Sequence, residues 1–382
     1  MKIVEVTKLY EKYMEYFYKK NPNVLKQTYN QHISEIFNDC NAQSNFLGKE
    51  LELLGYETEL FYFNAAELQY SWNKELNTKD LFYIVKEQIK NSKPDVLFIS
   101  DLFCFNEEQL KILKQELPRD TVFVAWHFGV LNDFSIRNAK YFAQIYTGSK
   151  YKVERLSQYN KNTKLLYHTF SPQVLNKIEK NEKSNTIVFP GSISLDCQLT
   201  RLEMCAEVIN SNIPFIFAGQ IYGSLIPDSF FNYLRYIKFK FNHKIENEKK
   251  YKLYEKVLRN NMIPSKFGLD YYQFINDNLV CINKHADSSS ESGSGNMRMT
   301  EVTGVGSCLL TDYREENKDL FEPDYEIVEY SSSEELVEKA KWLIEHPNKA
   351  KEIAMAGQQK TLEKYTYKNK AKIFLSYLNE IM

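Results

Sequence analysis

No run of about 18 consecutive apolar residues occurs in this 382-residue chain, so no segment is expected to cross a bilayer as a helix. Residues 1–6 alternate charged and apolar side chains and lack the apolar core of a secretory leader. The expectation is a soluble, cytoplasmic protein. Lysine and arginine number 49 against 50 aspartates and glutamates, a formal net charge of −1. A nonspecific nucleic-acid binder needs a basic surplus to neutralise phosphates, and none is present. The six cysteines (Cys40, Cys104, Cys197, Cys205, Cys281 and Cys308) form no Cys-x-x-Cys pair, and neither they nor the histidines cluster at ligand spacing. Zinc is therefore not expected, nor are disulfides in a large protein of a reducing compartment. An Asp-x-Asp motif, which would hold a metal against a diphosphate, is missing too.

What is there is ordinary globular composition, 43% hydrophobic and 26% charged, at a length that exceeds one hydrophobic core and predicts two domains. Short apolar runs alternate with longer helical patterns, the signature of parallel sheets wound with helices. Strands are predicted at 3–6, 57–63, 96–100, 122–126, 143–146 and 164–167, with helices at 44–54, 79–90 and 107–116. A long aromatic loop is predicted over 7–25. A second series places strands at 186–189, 215–218, 280–283, 308–311 and 326–328. Pro172 and a charged run put the linker at 169–184. From Ser332 the pattern is helical, opened by a Ser332/Glu335 capping box, and the last helix covers about 368–381. The fold class is α/β, two Rossmann-like domains facing a cleft.

The segment Gly295-Asn296-Met297-Arg298-Met299-Thr300-Glu301 carries the most chemistry. A Gly- and Ser-rich loop delivers the chain to a helix start at about Asn296, and helix N-termini offer free N–H groups and a partial positive charge to phosphate. Arg298 adds a cation in the first turn. Glu301, one turn on, is placed to accept two hydroxyl hydrogen bonds from a ribose. Gly191-Ser192, read as following the strand 186–189, permits close backbone approach to a phosphate, and Arg201 in or before the next helix is a bidentate partner for pyrophosphate. Gly268 to Tyr272 offers a backbone hydrogen bond and stacking on Tyr271 or Tyr272 for a nucleobase.

These residues, with Phe189-Pro190-Gly191-Ser192, Phe267-Gly268-Leu269-Asp270-Tyr271-Tyr272, Val280-Cys281-Ile282-Asn283-Lys284-His285, Leu320-Phe321-Glu322-Pro323 and Glu345-His346-Pro347, resemble the CgeB-like glycosyltransferases, relatives of the glycosyltransferase group 1 family. The likeness covers roughly 185–375. It implies a GT-B fold: residues 1–170 as the acceptor domain, joined by the C-terminal helix 368–382 crossing back to it, and 185–367 as the nucleotide-sugar donor domain. Glu301 matches the second Glu of the family's Glu, seven residues, Glu motif, which holds the donor ribose. The first Glu is replaced by Gly293, and Glu291 is out of register.

Catalytic groups are expected from the first domain, where Asp101 and His127 each end an apolar strand and either is a candidate general base on an acceptor hydroxyl. His127 is equally a candidate contact to donor sugar or phosphate. His285 and Asp287 precede the phosphate loop and either contact the transferred sugar or cap that loop. The expected activity is glycosyl transfer from a nucleotide sugar to a polysaccharide, protein or lipid-linked acceptor, with no metal or other cofactor required, no nucleic-acid partner and no membrane span. The rivals are a GT-B nucleotide-sugar epimerase and a two-domain binding protein without turnover.

Overall fold

The computed structural model describes residues 1–72, 78–129, 131–195, 198–225, 248–285 and 293–382. The chain divides into two compact units: 1–171 with 267–269 and 365–382, and 172–266 with 270–364. The stretch 172–184 thus belongs to the second unit, and three residues around Gly268 belong to the first. Among the described residues no helix is long and apolar enough to cross a membrane.

Unit 1 contains β1 (Lys2–Thr7), α1 (Glu11–Lys20), α2 (Tyr29–Asn38), α3 (Phe46–Leu53), β2 (Glu57–Tyr62), α4 (Ala66–Trp72), α5 (Leu81–Ser92), β3 (Val96–Ile99), α6 (Glu107–Glu116), β4 (Val122–His127), α7 (Asp133–Asn138), β5 (Gln144–Thr147), α8 (Lys150–Ser157) and β6 (Thr163–Leu165). Its sheet runs in the order β2-β1-β3-β4-β5-β6, with every pair parallel. Helices cover both faces, so β3 reads as the unbroken apolar run Val96–Ile99, buried throughout. The predicted aromatic loop is a helix over half its length. Tyr13 and Phe17, one turn apart on α1, are buried with Leu60 and Tyr62 of β2 and Ile36 of α2, and that tertiary burial stabilises a helix too short to hold by itself.

Unit 2 contains β7 (Ser184–Ser194), α9 (Leu199–Asn210), β8 (Phe215–Tyr222), α10 (Glu248–Asn261), β9 (Met262–Ile263), α11 (Gly268–Asn276, its first two residues counted with unit 1), β10 (Asn278–Asn283), α12 (Met297–Gly304), β11 (Cys308–Asp312), α13 (Asn317–Leu320), β12 (Val328–Tyr330), α14 (Ser333–Glu345) and α15 (Pro347–Lys364). The sheet order is β12-β11-β10-β7-β8-β9, again all parallel.

The final helix, α16 (Tyr367–Leu378), returns to unit 1. Thr366 caps it by accepting from the Asn369 N–H. Ala371, Phe374, Leu375 and Leu378 repeat at helical spacing and are buried against Ile3, Phe98, Trp126 and Tyr146 of the sheet. Each fully buried Phe or Leu contributes about 1.5–3 kcal/mol, so Phe374→Ala is the single change that most weakens this closure.

One strand departs from expectation in a way that shapes the site. β7 does not end at Phe189; it continues through Pro190, Gly191 and Ser192 to Ser194, paired with β8 up to Ser194↔Tyr222. Ile187 and Leu195 point their N–H groups at β8, so the even residues point toward β10. Pairing with β10 stops at Val188↔Cys281. Pro190, which has no N–H to give, therefore stands where the ladder needs no donor, and its carbonyl is left without a ladder partner on the β10 side.

Candidate functional site

At the C-terminal edge of the unit 2 sheet, the buried apolar strands end in polar side chains. Asn283, the last residue of β10, is fully buried. Its amide nitrogen donates to Thr311 Oγ1 of β11 at 3.0 Å, and its amide oxygen accepts from Asn296 Nδ2 at 3.0 Å and Arg298 Nη1 at 3.4 Å. Its main-chain carbonyl accepts from Tyr330 Oη of β12 at 2.8 Å. One buried residue, through its side-chain amide and its main-chain carbonyl, thus ties three strands to the start of α12.

Gly295 has φ of +85°, a conformation that favours glycine, and turns the chain into that helix. Asn296 precedes it in extended backbone but makes no side-chain cap, so its side chain leaves the first-turn N–H groups untouched. Met297, half-buried, gives its carbonyl to Thr300 Oγ1 at 3.2 Å. Arg298 lies over the Phe189 ring, its guanidinium carbon 4.9 Å from the centroid, and donates to the Pro190 carbonyl that β7 leaves open. A Cβ on Gly191 would stand 2.8 Å from Arg298 Nη2; the absence of a side chain there makes room for the arginine. Gly191, Asn296 and Arg298, from two distant stretches of sequence, are brought together.

Glu301 follows one turn later, only 7% exposed. Tyr271 Oη donates to its Oε2 at 2.7 Å and Tyr272 Oη to its Oε1 at 3.4 Å. Burial raises its pKa, while Tyr271, Arg298 and Tyr272 oppose that rise. A carboxylate has about four acceptor positions; the tyrosines take two, leaving two for a pair of ligand hydroxyls. Both tyrosine hydroxyls are committed to Glu301 and Tyr272 is 4% exposed, so this ring is closed to base stacking and the pair supports the carboxylate. Gly268 has φ of +56°, and a Cβ there would meet the Asp39 carboxylate of unit 1.

Next to this group is a second buried constellation. His285 Nδ1 is 2.7 Å from Asp312 Oδ1, which also accepts the His285 backbone N–H at 2.9 Å. Arg314 reaches Asp312 Oδ2 at 3.0 Å, and Lys284 Nζ lies 3.7 Å from the same oxygen. Burial alone would raise the Asp312 pKa, but His285, Lys284 and Arg314 outweigh it and hold the carboxyl well below its ordinary range. Nε2 of His285 is buried without a hydrogen-bond partner among the described residues. Arg201 donates to the Lys284 carbonyl at 3.0 and 2.7 Å and to the Ser192 carbonyl at 3.2 Å; it joins the ends of β7 and β10 rather than standing free for an anion. The Ser192 side chain is exposed. Asp287 lies outside the described residues.

Asn283 and Asp312 are the residues central to these two clusters that sequence reasoning passed over. Both end buried apolar strands, and a polar residue in that position of a parallel sheet is the signal that marks them.

In unit 1, Asp101 lies just past β3 and His127 ends β4, with His127 Nδ1 4.0 Å from Asp101 Oδ1. His127 is fully buried and neither ring nitrogen has a hydrogen-bond partner among the described residues. Burial, aided by the Lys152 charge, pushes its pKa down to about 3, so it is neutral at pH 7 and a weak base. Burial pushes Asp101 up to about 6, against the Phe103 N–H at 3.2 Å and the charge of Lys8. A carboxylate ionised at pH 7 with a pKa this close to it is the better proton acceptor of the two. Among the described residues no group of three or more His, Cys, Asp or Glu side chains is placed to hold a metal ion.

Residues 212–376 match the family model described as glycosyl transferase-like. No curated protein sequence matches the chain significantly. Similar solved structures include sucrose-phosphate synthase from Thermosynechococcus elongatus, at 9% identity and TM-score 0.58, covering 100% of this chain and 99% of that one. Anabaena HepE, solved with UDP and glucose, is 13% identical at TM-score 0.58 with both chains covered fully. A glycosyltransferase from Rickettsia africae is 11% identical at TM-score 0.57, covering 100% of this chain and 98% of that one. At these identities the likeness is one of fold, and the fold is GT-B.

Proposed function

We propose that this chain, glycosyl transferase-like over residues 212–376 and GT-B along its whole length, transfers a sugar from a nucleotide-sugar donor to a hydroxyl acceptor, and that within this group it is CgeB-like. The observation that carries the reading is the joining of Arg298, the open start of α12 and the half-satisfied Glu301 carboxylate at one sheet edge. Helix start and arginine suit a diphosphate, and Glu301 suits a ribose diol. Uridine diphosphate is the first nucleotide to try, because Anabaena HepE is solved with it.

Cleavage of the glycosyl–phosphate bond leaves negative charge on the departing diphosphate. N–H groups of α12 and Arg298, fixed before the reaction, stabilise that charge as it develops, which is why the reading requires no metal. Asp101 takes the proton of the acceptor hydroxyl, and His285, oriented by Asp312, presents Nε2 to the transferred sugar. The acceptor belongs among polysaccharides, proteins and lipid-linked glycans. The five cysteines among the described residues are buried and free, which suits a reducing cytoplasm.

The test is release of nucleoside diphosphate from a panel of nucleotide sugars, with and without candidate acceptors and with and without a chelator. Acceptor-dependent release that resists the chelator and disappears in Glu301→Ala supports the proposal. Sugar epimerised without acceptor, or no turnover with any donor, overturns it.

A further inference from the structure

A cavity of about 520 Å³ lies wholly within unit 1, along the outer edge of β2. β2 is the end strand of its sheet. Glu57 and Phe63 direct their N–H groups at β1, so the alternate residues Thr58 and Leu60, which line the cavity, turn their backbone donors and acceptors to the open side. Gln88 of α5 lines it as well. This glutamine is 1% exposed, and neither atom of its amide makes a well-formed hydrogen bond among the described residues. The Tyr29 hydroxyl beside it is also buried; Gln88 is the one polar side chain it interacts with favourably, and the pair makes no hydrogen bond of good geometry among the described residues. A buried amide left in this state is unusual, because burial without partners is costly.

The walls are aromatic, with Trp72, Phe37 and Tyr29, and the exposed rim carries Asn30, Glu52 and Asn91. Among the described residues two carboxylates and no lysine or arginine line the cavity; Lys2 pairs with one of them, Glu59, from outside the lining at 2.6 Å, so the lining carries no surplus positive charge, which disfavours phosphates, nucleotides and acidic sugars. A neutral sugar meets each feature. Its C–H faces stack on aromatic rings, and its hydroxyls, donors and acceptors at once, pair with amides, carboxylates and open backbone groups. The volume falls within the roughly 300–1,000 Å³ of small-molecule sites. An added peptide strand fits less well, because the Tyr62 carbonyl, next along the open edge, already accepts from Gln69 and Ala65.

We propose that this cavity is a binding site for a neutral saccharide, separate from the donor-binding groups of unit 2. The inference does not depend on the proposed transfer reaction. The full chain is applied to an array of neutral and acidic glycans and of extended peptides, without nucleotide. Neutral glycans are expected to bind, acidic ones not. Binding should weaken at least tenfold in Trp72→Ala, in Gln88→Leu and in Asn91→Trp, an exposed rim change that fills the mouth without touching the core, and should persist in Glu301→Ala. The proposal is overturned by an array without glycan binding, by binding that survives Asn91→Trp, by loss in Glu301→Ala, which would assign the sugar to the donor site, or by capture of peptides alone. Donor turnover, measured separately, stands or falls without reference to these outcomes.

Discussion

The C-terminal edges of the two sheets solve the problem of burying polar groups in opposite ways. In unit 2 the buried carboxylates have partners: Glu301 has two tyrosines, and Asp312 has His285, Arg314 and Lys284. In unit 1, both nitrogens of His127 and the Nζ of Lys370 are buried with no hydrogen-bond partner among the described residues. Lys370 Nζ sits 3.1 Å from the centre of the Trp126 ring, and burial drives its pKa well below the ordinary lysine value although Glu5 opposes the shift. The difference separates two kinds of preparation. Unit 2 holds a fixed charge lattice, which suits an anionic ligand present throughout a reaction. Unit 1 holds groups whose protonation is set by dehydration, which suits proton transfer and makes them sensitive to pH.

The largest expected effect comes from breaking the unit 2 lattice. Asp312→Ala leaves His285, Arg314 and Lys284 without their common carboxylate in a site 3% exposed, and removal of one partner of a buried ion pair costs about 3–5 kcal/mol. Urea unfolding should show a lower midpoint with an unchanged slope. Glu301→Ala should leave stability closer to normal and instead lower kcat/KM for the donor about 100-fold, the equivalent of about 2.7 kcal/mol.

The unit 1 edge is tested by pH. Asp101 goes from an ordinary 3.8 to about 6, so the folded state binds more protons than the unfolded one between those values. Its ionisation penalty is absent below about pH 4 and complete above about pH 6, and stability from this group falls as pH rises. His127 goes from 6.5 to about 3; here the unfolded state binds more protons, so stability is lost as pH falls from 6.5 toward 3. Asp101→Asn should flatten the first trend and His127→Gln the second, read from unfolding curves at pH 3 to 8. Only Asp101→Asn should also remove a rise in turnover centred near pH 6. Smallest of all, Gly191→Ala places a Cβ against the end of the Arg298 side chain, which can shift; donor affinity should fall by no more than severalfold in a calorimetric titration.

The same contrast explains what could be read from the sequence. Strands such as Val96–Ile99 and Cys308–Asp312 were visible because burial on both faces demands unbroken apolar runs. Gly191, Asn296, Arg298 and Glu301 were visible because glycine, an arginine in a first helical turn and a carboxylate one turn later each have a local reason. Asn283 and Asp312 were not, since their partners come from other strands and from loops that only folding brings near. β7 was cut short at Pro190 because a proline reads as a strand end; nothing local reveals that pairing with β10 ends before it. Helix α1 was hidden because its stabilising contacts, Tyr13 and Phe17 against β2 and α2, lie far along the chain. The two-glutamate spacing of the resembled family was legible only by half, with Gly293 at the first position.

Unit 2 is proposed to be a prebuilt site for a nucleoside diphosphate, with Glu301 on its ribose. The most direct measurement is the melting temperature of the unaltered chain and of Glu301→Ala against uridine, guanosine, adenosine, cytidine and thymidine diphosphates. A ligand at 100 times its dissociation constant adds about 2.7 kcal/mol of stability. At least one nucleotide is expected to raise the melting temperature of the unaltered chain by several degrees and that of the variant much less; equal shifts in both proteins, or none in either, would overturn the assignment of Glu301 to a nucleotide site.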